Sequence, residues 1–426
     1  MSNVKNVVIY GGGIRIPVFN HFSICAFAGG NTARQLAEMY QSHPDCNMDI
    51  HLKISRIGGG DKSIDTITDL ENDIDRVTKD PSTRIVIMSA AVPNYAPSSI
   101  YGSEIEFSDH LRMTEKYINS LGKDNKMSLD LERLPRVVKN VRKERKDVFL
   151  VLFKTVANES RKDAFEQGLK LMKTTSANLV FVNDIVRKDN FIITPEESTY
   201  GAGNREDTLR MLVDMSIARS HLAFTRSNVV SAVGVPWSDE RVPSALRSVV
   251  DWCIAKNAYK PGYEGSGSTV GHFAVKLGER QFLTSKRKSD FRKMNETGLV
   301  YVETDGNDYV TAYGGKPSVG GQSQRIIFED HPGLNCIVHF HCPLKSDYKD
   351  DIPVASQFEN ECGSHQCGQN TSNNLRQVRK GIWAVMLDNH GPNIVFSDKD
   401  TTSEEVISFI EDNFSLADKT LGYILE

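Results

Sequence analysis

His339 and His341 stand one residue apart in the apolar run NCIVHFHCP, residues 335–343. In a strand, residues i and i+2 share a face, so the two imidazoles point the same way. A third donor folding back toward them would complete a grip on one metal ion. His390, in VMLDNHGPNIVF (385–396), is the candidate. It follows an apolar strand and precedes Gly391-Pro392, so a turn can aim it into a site. Three neutral imidazoles around a divalent ion leave one position open, which is the catalytic arrangement for zinc. Cobalt or manganese suits the same donors. The alternative is that His339 and His341 line a wet pocket and His390 is an ordinary turn histidine, because H-x-H alone is a permissive pattern.

A second cluster, ENECGSHQCGQN (359–370), carries Glu359, Glu361, Cys362, His365 and Cys367. A C-x4-C pair without a second pair does not close a structural zinc site by itself. The segment reads instead as an active-site loop between His341 and His390, with Glu361 available as acid or base.

The elements that must position these residues fall into two groups. Before residue 226, short apolar strands alternate with amphipathic helices. NVVIY (6–10) runs into Gly11, Gly12 and Gly13. A helix is expected at 31–42, capped by Asn31 or Thr32. MDIHLKI (48–54), RIVIMSAA (84–91), VFLVLFKT (148–155) and NLVFVND (178–184) read as further strands, with KDAFEQGLKLMKTT as a helix between the last two. Such alternation predicts a parallel α/β sheet, whose ligands bind beyond the carboxyl ends of the strands. Those ends are Gly11–Gly13, Ala90 and Ala91, Lys154, and Asn183 and Asp184, a pocket rim of nucleotide size. Residues 227–243, with two prolines and mixed polarity, read as a linker. A helix at 244–259 then opens a second unit. It continues with a glycine-rich turn, a hairpin at 272–284 and strands LVYVET, CIVHFHC, WAVMLDN and NIVF, and closes with a helix across TSEEVISFIEDNFSLADKTLGYI (402–424).

The chain's 426 residues are 39% hydrophobic, enough for two or three cored domains. A net charge of −4 and a pI near 6.3 argue against nucleic acid or an anionic membrane as partner. The sequence lacks an eighteen-residue apolar run and a signal-peptide pattern, and its seven cysteines are scattered. The expectation is a protein of the reducing cytoplasm.

Residues 244–420 resemble the class II aldolase/adducin family. GSGSTVG (265–271) stands where that family has a glycine-rich turn approaching phosphate, FLTSKRKSDF (282–291) resembles its phosphate loop, and KPSVGG (316–321) the segment with its catalytic glutamate. HPGLNCIVHFHCP and DNHGPNIVF resemble its metal segments. The resemblance implies that His339, His341 and His390 share a metal. It implies that the ion polarises a substrate carbonyl and hydroxyl in carbon–carbon cleavage, epimerisation or dehydration. It also implies that Ser266, Ser268, Thr284, Ser285 and Ser318 hold a substrate phosphate. Counting back from His339, the family's carboxylate falls at Gly320, which leaves its role to Glu361, or to Gln322 in an orienting part.

Residues 4–226 resemble phosphopantothenoylcysteine synthetase. RIVIMSAAVPNY is similar to its strand ending in Ala-Ala-Val, MTEKYINS to the segment with its active lysine, here Lys116, and LERLPRVVKNVRKERKDVFLVLFKTVANES to a further stretch. The family motif Asn-Phe-Ser-Ser-Gly aligns with AFAGG (26–30), so Ala26 and Ala28 replace an asparagine and a serine. This resemblance implies a Rossmann-like domain that binds CTP or ATP with magnesium.

The combined expectation is an N-terminal Rossmann-like parallel-sheet domain (1–226) fused to a class II aldolase-like α/β/α domain with a largely antiparallel central sheet (244–426). Its function would be that of a metal-dependent lyase on a phosphorylated small molecule. A synthetase-type carboxylate ligase with an accessory metal domain and a non-catalytic binding protein are the alternatives. Both resembled families form oligomers, which implies a homo-oligomer.

Overall fold

The continuous apolar runs of the first half become central parallel strands because both faces of such a sheet are covered, so every side chain must be apolar. The computed structural model describes residues 4–19, 22–100, 103–104, 128–224, 226–306 and 309–420. It divides into two units. The first takes Met1–Glu159, Leu171–Ile192 and Ala202–Ser220; the second takes Ser160–Lys170, Ile193–Gly201 and His221–Glu426.

In the first unit the parallel strands lie in the order Leu179–Asp184, Phe149–Val156, Thr83–Met88, Asn6–Gly11, Asp49–Ile54. Val7, Ile9, Ile85, Ile87, Leu150 and Val151 are fully buried, whereas Leu52 on the edge strand is exposed. The helix Asn31–Ser42 forms as expected, but its cap does not. Gly30, at φ 77°, occupies the N-cap and makes no side-chain cap hydrogen bond. A Cβ on Gly30 would lie 3.1 Å from Ile54 Cδ1, so the tight left-handed entry takes glycine. Thr32 instead accepts a hydrogen bond from Arg205 Nη2 at 2.7 Å.

The second unit is built on a ten-stranded sheet. Its main path runs Arg226–Val230, Tyr309–Tyr313, Leu299–Thr304, Gln281–Ser285, His272–Gly278, Cys336–His339, Gly391–Phe396, Ile382–Leu387, Val354–Ala355. The central pairings are antiparallel. Successive side chains go to opposite faces. Phe273, Leu283 and Phe340 pack with Leu246, Val249 and Phe409, which lie on helices Ser244–Ala255 and Ser403–Asn413. Ala274, Phe282 and Ile337 pack with Ile327 and Phe328 of helix Gln322–Asp330. This is an α/β/α layering with a largely antiparallel sheet.

Overlapping the start of the stretch read as a linker, Arg226–Val230 forms an edge strand parallel to Tyr309–Tyr313. The last described helix stops at Asn413, well short of the expected span. Asn413 Nδ2 donates to Asp350 Oδ2 at 2.7 Å, and its Oδ1 accepts from the Lys349 and Asp350 amides. That tertiary recruitment fixes the exit of the chain into a buried Phe414. Among the described residues no helix is long and apolar enough to cross a membrane.

Candidate metal centre

The strand Cys336–His339 ends on the first histidine of the pair. Phe340 turns into the core, and His341 lies just past the strand end with its ring centroid 5.1 Å from that of His339. His390 reaches them through a turn after Ile382–Leu387. Asn389 sits at φ 56° and Gly391 at φ 141°. A Cβ on Gly391 would fall 2.1 Å from the Phe340 carbonyl oxygen. Only a glycine lets the turn press against the His339–His341 segment.

The three rings converge. Their candidate ligand nitrogens lie within 4.8 Å of one another, and all three residues are buried. The His390 centroid is 4.7 Å from His339 and 4.8 Å from His341, with ring planes crossing at 70° and 84°. His339 Nδ1 lies 2.8 Å from the Pro392 carbonyl oxygen. A carbonyl only accepts, so Nδ1 carries the proton and Nε2 keeps its lone pair for a ligand. Burial pushes the His339 pKa down to about 4, against the opposing pull of Pro392. At neutral pH this imidazole is therefore uncharged, as a metal donor must be. Three converging nitrogens of buried imidazoles, with His339 held neutral, fit a divalent ion of the zinc, cobalt or manganese type.

Residues 254–406 match the Class II Aldolase and Adducin N-terminal domain. The match contains all three histidines. None of the curated proteins matches the chain. Similar solved structures include the DNA/Pantothenate Metabolism Flavoprotein from Streptococcus pneumoniae, 16% identical over 50% of this chain and 96% of that one, TM-score 0.40. The C-terminal domain of the Coenzyme A biosynthesis bifunctional protein CoaBC is 13% identical over 51% and 97%, TM-score 0.36. A Cab2 mutant in complex with phosphopantothenate-cysteine is 14% identical over 51% and 86%, TM-score 0.37.

Within the matched residues, Glu361 is buried, but the convergent group of metal-competent donors holds the three histidines and no carboxylate. Among the described residues the 359–370 segment forms no metal group of its own. Cys367 Sγ accepts from Gln357 Nε2 at 3.2 Å, and the Cys362 amide donates to Glu196. Gln322 Nε2 meets His365 Nδ1 at 3.1 Å. Gly320 lies in the short turn Ser318–Gly321.

Two of the five hydroxyls expected to hold phosphate are engaged in the sheet. Thr284 Oγ1 donates to Phe273 O at 3.1 Å, and Ser285 Oγ accepts from Phe273 N at 3.4 Å. Ser318 Oγ reaches Gly271 O at 3.5 Å. Ser266 and Ser268 lie on a turn made by Gly265 and Gly267, both at positive φ.

Sequence reasoning missed His272. It heads the strand His272–Gly278, is buried, and pairs in register with His339. Their ring centroids are 4.7 Å apart. Burial, and then the neighbouring His339, drive its pKa well below the usual histidine value. The only local signal was a histidine opening an apolar strand after a glycine turn.

In the first unit the predicted pocket rim is drawn largely into the fold. A Cβ on Gly11 would meet Ala33 Cβ at 2.3 Å, one on Gly12 (φ 92°) Ser55 Oγ at 2.2 Å, and one on Gly13 the Ala26 carbonyl at 2.1 Å. Ala91, beside Ala90, donates to Gly12 O and accepts from Ile14 N. Asn183 Oδ1 accepts from Arg205 Nε at 3.4 Å. Asp184 accepts from the amides of Asn158, Glu159, Val186 and Arg187. Burial alone would raise its pKa, but the four amides outweigh it and hold the carboxylate below its usual range. Asp184 thus organises its own turn. Lys154 is half-buried, and burial, then Arg136, lowers its pKa. Lys116 lies outside the described residues.

Proposed function

We propose that the aldolase/adducin domain is a divalent-metal-dependent lyase of the aldolase, epimerase or dehydratase type, acting on a phosphorylated small molecule. The observation that carries this is the convergence of three buried imidazoles from two separated segments. A divalent ion held by His339, His341 and His390 would polarise a substrate carbonyl and its neighbouring hydroxyl. The chain's own residues prepare that chemistry. The Pro392 carbonyl fixes the tautomer and tilt of His339. Burial keeps His339 neutral and limits access of bulk water to all three donors. Ser266, Ser268 and Ser318 are the hydroxyls proposed to meet the phosphate, with Thr284 and Ser285 supporting them through the strand backbone. With glycine at position 320, we assign proton transfer to Glu361.

The test is a turnover screen of the metal-loaded protein against phosphorylated hydroxy-carbonyl compounds. Glu361→Gln should retain the metal and lose turnover; full activity in that variant would remove Glu361 from the mechanism. For the first unit we propose a nucleotide site, for CTP or ATP with magnesium, at the glycine strand end. Its support is the open-ended parallel sheet itself. A nucleotide that fails to raise the melting temperature would withdraw it.

A further inference from the structure

The short segment Ile193–Gly201 belongs to the second unit, although the chain before and after it belongs to the first. It carries Glu196 and Glu197, which are 1% and 4% exposed. Carboxylates are rarely buried without a partner, so two in succession call for an account of what each one holds. The backbone is specialised as well. Glu197 sits at φ 64°, in the left-handed region that a residue of its type rarely enters. Its amide donates to Thr194 O at 2.9 Å, and the Thr194 amide donates to Ser198 O at 3.1 Å. A strained position of this kind persists only where its surroundings determine it.

The two carboxylates reach different parts of the histidine site. Glu196 Oε1 accepts from the Cys362 amide, the peptide group that joins Cys362 to Glu361. Bonds within that loop, from Gln357 Nε2 to Asn360 O and from the Ser364 amide to Glu361 O, shape it locally. Glu196 adds a charge-assisted tie to a turn 166 positions earlier in the chain. Glu197 Oε2 accepts from Lys419 Nζ at 2.8 Å, and Lys419 lies over the Phe165 ring at 5.7 Å. The next amide, that of Thr420, donates to His341 O at 3.1 Å. Glu197 thus acts on the segment that is hydrogen-bonded to one of the three clustered histidines.

We infer that Glu196 and Glu197 are positioning residues of the histidine site: Glu196 fixes the backbone beside Glu361, and Glu197 fixes the segment bonded to His341. This rests on the proposed metal-dependent function. One turn holds both arms, so the acid/base loop and a metal-binding segment keep a set spacing. The residues that set it come from the N-terminal half of the sequence. Truncating Glu196 frees the Cys362 amide. Truncating Glu197 leaves the Lys419 ammonium without its buried counter-charge, and the adjoining Thr420–His341 bond shifts with it.

The experiment uses the full chain, loaded with cobalt(II) alone. One readout is cobalt affinity together with the visible ligand-field band. The other is the rate of Cys362 alkylation by iodoacetamide, followed by mass spectrometry of its peptide. Glu197→Ala should weaken cobalt binding about tenfold and shift the band, with Cys362 alkylation unchanged. Glu196→Ala should speed Cys362 alkylation about tenfold, with the cobalt band unchanged. Glu196→Gln and Glu197→Gln keep an acceptor oxygen and should each restore part of the lost behaviour. Where an alanine variant does not fold, Glu196→Asp or Glu197→Asp, one methylene shorter in reach, stands in for it. Unchanged alkylation in Glu196→Ala, or an unchanged cobalt band and affinity in Glu197→Ala, would overturn the inference. Both variants moving both readouts alike would reduce the turn to general packing and overturn it too. If the unmodified protein binds no cobalt, the metal-dependent function fails and takes the Glu197 arm with it, while Cys362 alkylation still decides the Glu196 arm.

Discussion

The two units treat their chemically suggestive residues in opposite ways. In the second unit, side chains far apart in sequence are aimed at one another. His339, His341 and His390 converge, and His272 lies against His339 with a polar atom unmatched among the described residues. In the first unit, the suggestive residues are largely consumed by their own fold. Gly12 makes room for Ser55, and Asp184 spends its oxygens on four amides. A glycine turn can thus be explained by packing alone, whereas three buried imidazoles meeting in one place have no structural need that apolar side chains would not serve better.

The sharpest way to break this contrast is to remove one imidazole. His341→Ala should weaken binding of a divalent ion by at least about 100-fold, measured by competition with a chromophoric chelator. Lys154→Ala in the first unit should leave that affinity unchanged. Equal metal content in the two variants would erase the distinction.

Next come the two glycines. Gly391→Ala must place a Cβ 2.1 Å from the Phe340 oxygen at φ 141°. It should destabilise the protein by about 3 kcal/mol in urea denaturation and weaken metal binding as well. Gly12→Ala, strained against Ser55 Oγ, should destabilise by a similar or smaller amount while metal affinity stays intact. A Gly391→Ala protein with unaltered metal affinity would show that the turn does not aim His390.

The pH dependence of the metal-free protein follows from His339. Its folded pKa of about 4 lies below the unfolded value, so the unfolded chain binds the proton more readily. Stability is therefore complete above about pH 6.5 and declines as pH falls toward 4, by up to about 3 kcal/mol from this residue. His272, shifted the same way, adds to the slope. Chelator-treated protein should show a lower urea midpoint at pH 5 than at pH 7, and His339→Gln should flatten the difference. A flat profile in the unmodified protein would mean that these rings are not shielded from water.

The smallest expected effect is in the first unit. Asp184→Asn weakens the acceptance of four amides and should lower the melting temperature by about 5 °C without touching metal content. An unchanged melting temperature would show that those amides find other acceptors.

How legible all this is from sequence depends on how local each cause is. Central strands such as Ile85–Met88 announce themselves because burial on both faces demands an unbroken apolar run. His339 and His341 are neighbours along the chain, so their partnership is a matter of strand period. His390 could be proposed as their partner from its place at a strand end beside a Gly-Pro turn, and the resemblance of that turn to a known metal segment strengthened the link. His272 stayed hidden because its place beside His339 is set by strand register, which couples residues 67 positions apart. The Gly30 cap and the helix stop at Asn413 were missed for the same kind of reason. One depends on contact with Ile54, the other on bonds to Lys349 and Asp350.

The most direct test of the central claim is anomalous diffraction from crystals of the zinc-loaded protein, collected on both sides of the zinc absorption edge. The account predicts one strong peak bounded by the nitrogens of His339, His341 and His390. Density confined to other residues, or no peak at those three rings at full zinc loading, would contradict it.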